Sequence, residues 1–324
     1  MAASVGRLYV PRLSIIIPFS GDEVALETTL VSVLENRPAD CEILVSHDGS
    51  YRDPYALGDE VLFIETTKQA NEVSLLNEAL RAAISPVLHI LRCGVRVMES
   101  WTDDPLRVMA EHNASVVTPV YLNKQDGQEY CGLDLSQLWC HRLVTADESI
   151  AEGKLGPALA GCFIKRRVLL ALDGLRSDVS TAVAEVELGL ALRQIGATVA
   201  ASDFSTIQVP GELLTTQNAV DFQGIGQVVA QYDAILGSVG AASHFPTLVE
   251  RLLGSLSLAR LAAIRSFTKG YRELGGVGNL KKRLDTASQI IAAGHRPVLG
   301  VVDGERSPSY NDKATTPSRS RKAA

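Results

Sequence analysis

The sequence predicts an α/β fold, and two observations carry that expectation. Up to about residue 210, short β-branched runs alternate with helix-period patterns. From about Phe222 the texture becomes helical throughout. Leu13–Ile17 is an aliphatic run stopped by Pro18 and reads as a buried strand. Val24, Leu26, Leu30, Val33 and Leu34 recur at helical spacing over 23–35, and Pro38 ends the pattern. A strand at 42–46 leads into a loop with Gly49, Asp53 and Pro54, and a strand at 61–65 follows. A helix over 71–84 ends at Ser85-Pro86, ahead of strands at 87–91 and 115–120. Between those strands, Thr102-Asp103-Asp104-Pro105 has the cap, acids and early proline of a helix start, with Asp103 and Asp104 read as capping residues. Residues 122–157 are polar and turn-rich, an excursion without expected elements. A strand at 161–164, a helix over 183–195 closed by Gly196, and two short strands at 197–201 and 206–209 complete the alternating part.

Composition narrows the class. The chain has 324 residues, of which 46% are hydrophobic and 21% charged, enough apolar material for a sizeable core. Five cysteines form no CxxC pair and are odd in number, which points to a reducing compartment. No apolar run has the length of a signal peptide core at the N-terminus or of a membrane span anywhere, so the expected setting is cytoplasmic. The net charge of −6 is unevenly spread. Residues 1–247 hold 17 Lys and Arg against 31 Asp and Glu, whereas 248–296 hold 9 against 3. An acidic body argues against nucleic acid as a partner. Over 248–272, Val249, Leu252, Leu253, Leu256, Ile264, Phe267 and Tyr271 share one side of a helical wheel. Arg251, Arg265, Lys269 and Arg272 share the other, so contact with an anionic membrane stands beside packing on the domain with a solvated basic face.

Several residues have a chemistry of their own. Pro18-Phe19 ends a strand at the carboxyl edge of a parallel sheet, where open α/β sheets bind ligands, and Phe19 reads equally as a base-lining ring or a core aromatic. Asp48, followed by Gly49-Ser50, is placed to accept from a base N–H or a ribose hydroxyl, or is simply the Asp of a turn.

Taken in order, these segments resemble a family 2 glycosyltransferase. The resemblance rests on Leu13-Ser14-Ile15-Ile16-Ile17-Pro18-Phe19, then Glu42-Ile43-Leu44-Val45-Ser46-His47-Asp48-Gly49-Ser50, then Asn77 with Ala79 and Leu80. It continues through Val87–Leu91 with Val95-Arg96-Val97 and Trp101, then Gly161-Cys162-Phe163 with Asp173-Gly174-Leu175, then Ala184-Glu185-Val186-Glu187-Leu188. Six motifs in the correct order span residues 13–209. The resemblance implies a GT-A-like mixed sheet flanked by helices, a nucleotide-sugar donor, and inverting transfer to a hydroxyl acceptor. It places Pro18, Phe19, Asp48, Gly49, Ser50, Asn77 and Glu187 against the substrates, and Arg92, where the family has a metal-binding acid, would neutralise the diphosphate leaving group without metal or pair one of the many nearby acids. Glu185 stands where the family has the acid that deprotonates the acceptor; its other reading is ordinary acidity in a first helical turn. The Gln-x-x-Arg-Trp of processive synthases is missing, which implies a non-processive enzyme.

The pattern departs at one place. Where the family has an acidic metal-binding motif, this chain has Arg92-Cys93-Gly94, so no metal ligand and no cofactor are expected. Leu76 replaces the usual arginine, and Ala184 a glutamate. The expected organisation is a GT-A-like domain over 1–215, a helical extension over 216–302, and a disordered tail over 303–324. Two functions stay open: a glycosyltransferase, or a degenerate GT-A domain that binds a nucleotide, glycan or protein without turnover.

Overall fold

A computed structural model describes residues 10–67, 70–148, 154–214, 221–236, 258–273 and 277–294. The tail over 303–324 and the stretch 248–257 of the basic segment lie outside these residues. Its centre is a mixed sheet in the order β3-β2-β1-β4-β9-β5-β6-β7, where β1 is Leu13–Phe19, β2 Cys41–His47, β3 Leu62–Glu65, β4 Val87–Leu91, β5 Val116–Asn123, β6 Glu129–Asp134, β7 Leu143–Thr145 and β9 Gly161–Lys165. β8 (Leu155–Gly156) pairs with β6, and β10 (Val199–Val209) with β5. The first four strands run parallel, while β9 lies antiparallel between β4 and β5.

Alternation along β1 divides the core in two. Ile16 faces the layer containing α2 (Glu72–Ala82), α4 (Arg166–Ala171) and α5 (Thr181–Gln194). Leu13, Ile15, Ile17 and Phe19 face the layer of α1 (Glu23–Glu35) and α3 (Asp103–Glu111). After α6 (Gly211–Leu214), the helices α7 (Phe222–Leu236), α8 (Leu258–Arg272) and α9 (Gly278–Gly294) follow. They bury Ile225, Val229, Phe267, Leu284 and Ile291 in the same core as α2 and α5. The helical extension therefore shares a core with the sheet.

Three expectations are corrected. The excursion at 122–157 contains β6, β7 and β8, short antiparallel strands whose few residues leave little apolar periodicity to read. The two strands expected at 197–209 are one, β10, whose register against β5 shifts between Ala201 and Thr206. At that shift the Asp104 carboxylate accepts from Ser202 Oγ and from the Phe204 N–H, 3.3 Å away. Asp104 also pairs with Arg107, so it ties α3 to β10 and does not simply cap a helix.

Candidate functional site

The carboxyl ends of the parallel strands lie side by side, with Phe19 opposite His47 and His47 opposite Glu65. Phe19 is 1% exposed and packs at 5.2 Å on Tyr51, which stacks on Phe63 at 5.5 Å. Phe19 is thus part of the core. Tyr51 is the next aromatic outward, and its buried hydroxyl has no hydrogen-bond partner among the described residues. Burial raises the pKa of that hydroxyl.

Beside this cluster Asp48 Oδ1 accepts from the Ser50 N–H (3.1 Å) and Ser50 Oγ (2.5 Å), a local turn that orients the carboxylate. Gly49 is required there: its φ is +83°, and a Cβ would lie 2.8 Å from Glu65 Oε1.

The loop after β4 is a tightly held joint. Cys93 Sγ donates to Pro18 O at 3.1 Å, and burial first, then Glu72, pushes its thiol up to about 12. The Gly94 N–H reaches Ala25 O and Thr29 Oγ1, both at 2.9 Å. Arg92 Nε pairs with Glu72 Oε1, and Glu72 Oε2 accepts from Thr181 Oγ1 at 2.7 Å. Of its two readings, Arg92 here takes the ion pair, which links the end of β4 to the starts of α2 and α5.

Glu185 lies in the second turn of α5, beyond the first-turn region where helix acidity is usual, and is 8% exposed. Its Oε1 accepts from the Leu159 N–H, and its Oε2 lies 3.0 Å from His141 Nε2. Against an ionised carboxylate, Nε2 carries the proton and donates. The segment that holds Glu185 also holds Arg92, whose N–H donates to Ala160 O at 3.1 Å. Glu185 and the exit of β4 are thereby brought together. His141 has no signal in the sequence: it belongs to the excursion, and its φ of +43° comes from the short helical turn at Leu138–Cys140.

Two other site candidates lie in a separate network. Asn77 uses both ends of its amide on Leu175, donating to its carbonyl and accepting from its N–H, each at 2.8 Å. Glu187 Oε1 accepts from Tyr232 Oη at 2.7 Å and Arg283 Nη1 at 2.8 Å. Arg283 also donates to Leu172 O and Gly174 O. These side chains join α2, α5, α7 and α9 to the turn after α4.

Neither a family model nor a curated protein matches the sequence. Solved structures do match the fold. GalNAc-T7 with UDP, GalNAc and Mn²⁺ superposes with a TM-score of 0.55 at 14% identity, over 87% of this chain and 55% of its own. The mannosyltransferase PcManGT from Pyrobaculum calidifontis, in complex with GDP-Man and Mn²⁺, superposes with a TM-score of 0.52 at 15% identity, over 89% of this chain and 87% of its own. The chain therefore has a GT-A-like glycosyltransferase fold. It spans about half the length of the first of these structures.

Both neighbours hold Mn²⁺, and this corrects the expectation of no cofactor drawn from Arg92-Cys93-Gly94. The residues after β4 are a guanidinium paired with Glu72, a protonated thiol and a glycine, which do not fit the oxygen shell of such an ion. Among the described residues no group of three or more His, Cys, Asp or Glu side chains converges elsewhere.

Proposed function

We propose that the chain is an inverting, non-processive glycosyltransferase that moves a sugar from a nucleotide-sugar donor to a hydroxyl acceptor. The observation that carries this reading is the placement of Glu185, a buried carboxylate held by Leu159 and His141 beside the carboxyl edge of the sheet. Each of its oxygens keeps a further lone pair with which to accept from an incoming hydroxyl. In the proposed reaction Glu185 takes the acceptor's proton as that oxygen attacks the anomeric carbon. The bond from that carbon to the diphosphate breaks, and its electron pair leaves with the nucleotide. Asp48, oriented by Ser50, holds the nucleotide. Asn77 and Glu187, engaged with Leu175 and Arg283, support the helices that carry the site.

The second reading, a binding module without turnover, is favoured by one observation: Arg92, the cation proposed for the diphosphate, is already paired with Glu72. A panel of uridine and guanosine diphosphate sugars, supplied with Mn²⁺ and assayed for binding, hydrolysis and transfer, separates the two. Turnover that disappears in Glu185→Gln supports the enzyme. Binding without turnover supports the module, and no binding at all removes the transferase and a nucleotide-binding module alike.

A further inference from the structure

Helix α8 crosses α7 at two glycines. A Cβ on Gly270 would lie 1.9 Å from Gln223 O, and one on Gly226 would lie 2.1 Å from Phe267 O. This close approach commits the face of α8 that holds Phe267 and Gly270, both buried, to α7. At 3.6 residues per turn, Arg265, Lys269 and Arg272 fall within about 60° of one another on the opposite side. All three are exposed, and among the described residues no carboxylate pairs with any of them. They rim a groove of about 620 Å³ whose apolar lining is Leu261 and Ile264. Glu273 also lines it, but its Oε2 accepts from Gln223 Nε2 at 2.7 Å and Gln227 Nε2 at 3.3 Å.

We propose that this outward face of α8 docks on an anionic lipid bilayer. The site is independent of the transferase reading. Three unpaired cations spread along roughly 10 Å of helix match a field of headgroups better than a single phosphate. Residues 258–294 carry seven Lys and Arg against two Asp and Glu, while residues 1–247 carry 17 against 31, so an anionic surface attracts this end and repels the rest. The apolar stripe that an interfacial helix would push into lipid is here occupied by α7. Attachment is therefore electrostatic and reversible by salt.

Co-sedimentation of the full chain with vesicles tests this. The expected result is pelleting at low salt with phosphatidylcholine–phosphatidylglycerol vesicles, no pelleting with phosphatidylcholine alone, and release by high salt. R265E/K269E/R272E should lower partitioning at least about a hundredfold, at roughly fivefold for each cation lost and more for the carboxylates gained. Lys154→Glu, an exposed cation in the acidic part, should change little. Should charge reversal disturb folding by circular dichroism, R265Q/K269Q/R272Q tests the same point. No pelleting, equal pelleting on phosphatidylcholine, or full retention by the triple variant overturns the proposal. So does complete displacement by millimolar inorganic phosphate at constant ionic strength, which would mark a single-anion site.

Discussion

Glu185 Oε2 and His141 Nε2 lie 3.0 Å apart, joining a helix of the α/β core to the turn that precedes β7. The contact fixes one carboxylate oxygen, while the Leu159 N–H fixes the other. A carboxylate held at both oxygens keeps its aim without cost at the moment of proton transfer. Removing its partner should therefore affect catalysis more than binding.

If the transferase reading holds, Glu185→Gln should lower kcat by about a hundredfold or more while donor affinity stays the same. His141→Ala should lower kcat by about tenfold, the usual consequence of losing a hydrogen bond to a charged group. His141→Gln, which restores an N–H donor, should recover part of that loss. Steady-state kinetics with the best donor from the panel, next to calorimetric donor affinity, makes the comparison. An unchanged kcat in a folded His141→Ala would remove the pair from the mechanism.

Nucleotide binding should depend on Asp48. Its replacement by Ala should weaken binding of a uridine or guanosine diphosphate sugar by roughly 1–3 kcal/mol, the cost of a lost charged hydrogen-bond partner. Titration calorimetry reads this directly; equal affinity would leave Asp48 as the anchor of the Ser50 turn and nothing more.

Arg283 should be the principal tie of the last helix. Its guanidinium meets Glu187, which is 1% exposed, along with two backbone carbonyls. Arg283→Met strands a buried carboxylate with only Tyr232 as its described donor, and should cost about 3 kcal/mol in urea denaturation. Pairing it with Glu187→Met should restore a good part of that loss. Strict additivity of the two single effects would show that the residues are not coupled.

The α7–α8 crossing should not tolerate a methyl group. Gly270→Ala places a Cβ against the Gln223 carbonyl and should cost about 2–3 kcal/mol, since two backbones must separate. Gly278→Ala, with no atom within 4 Å of the added Cβ, should be neutral or slightly stabilising. Thermal melts of the two variants should move apart by several degrees.

Acid should weaken the fold partly through His89. The ring stacks on Phe163 at 4.0 Å and lies 4.7 Å from Trp101, and neither nitrogen has a well-formed hydrogen bond among the described residues. Burial pushes its pKa down to about 3, and the Cys162 backbone offsets only part of this. Between pH 6.5 and 3 the unfolded chain binds a proton there and the native one does not. Stability contributed by the neutral ring is full above pH 6.5 and falls as pH drops, by at most about 1.4 kcal/mol per unit. His89→Phe should flatten this slope in denaturant titrations between pH 7 and 4. An unaltered slope would assign acid sensitivity to other groups.

Much of the architecture is legible in the order of residues. The helix at Glu23–Glu35 and the strand at Val87–Leu91 fall where apolar spacing and the flanking prolines place them, because burial of one face imposes its period on the chain. The alternation of strand and helix marks an α/β sheet, and the six ordered motifs, with Asp48 after the second strand, carry the resemblance to the GT-A-like fold that the chain adopts. Tertiary structure decided what depends on partners distant in the chain. Arg92 pairs with Glu72 and not with an open site, Asn77 closes on Leu175 across 98 residues, and Glu185 meets His141 across 44. A side chain's type states which bonds it can make. Which ones it does make follows from the groups that the folded sheet and helices bring within hydrogen-bond reach.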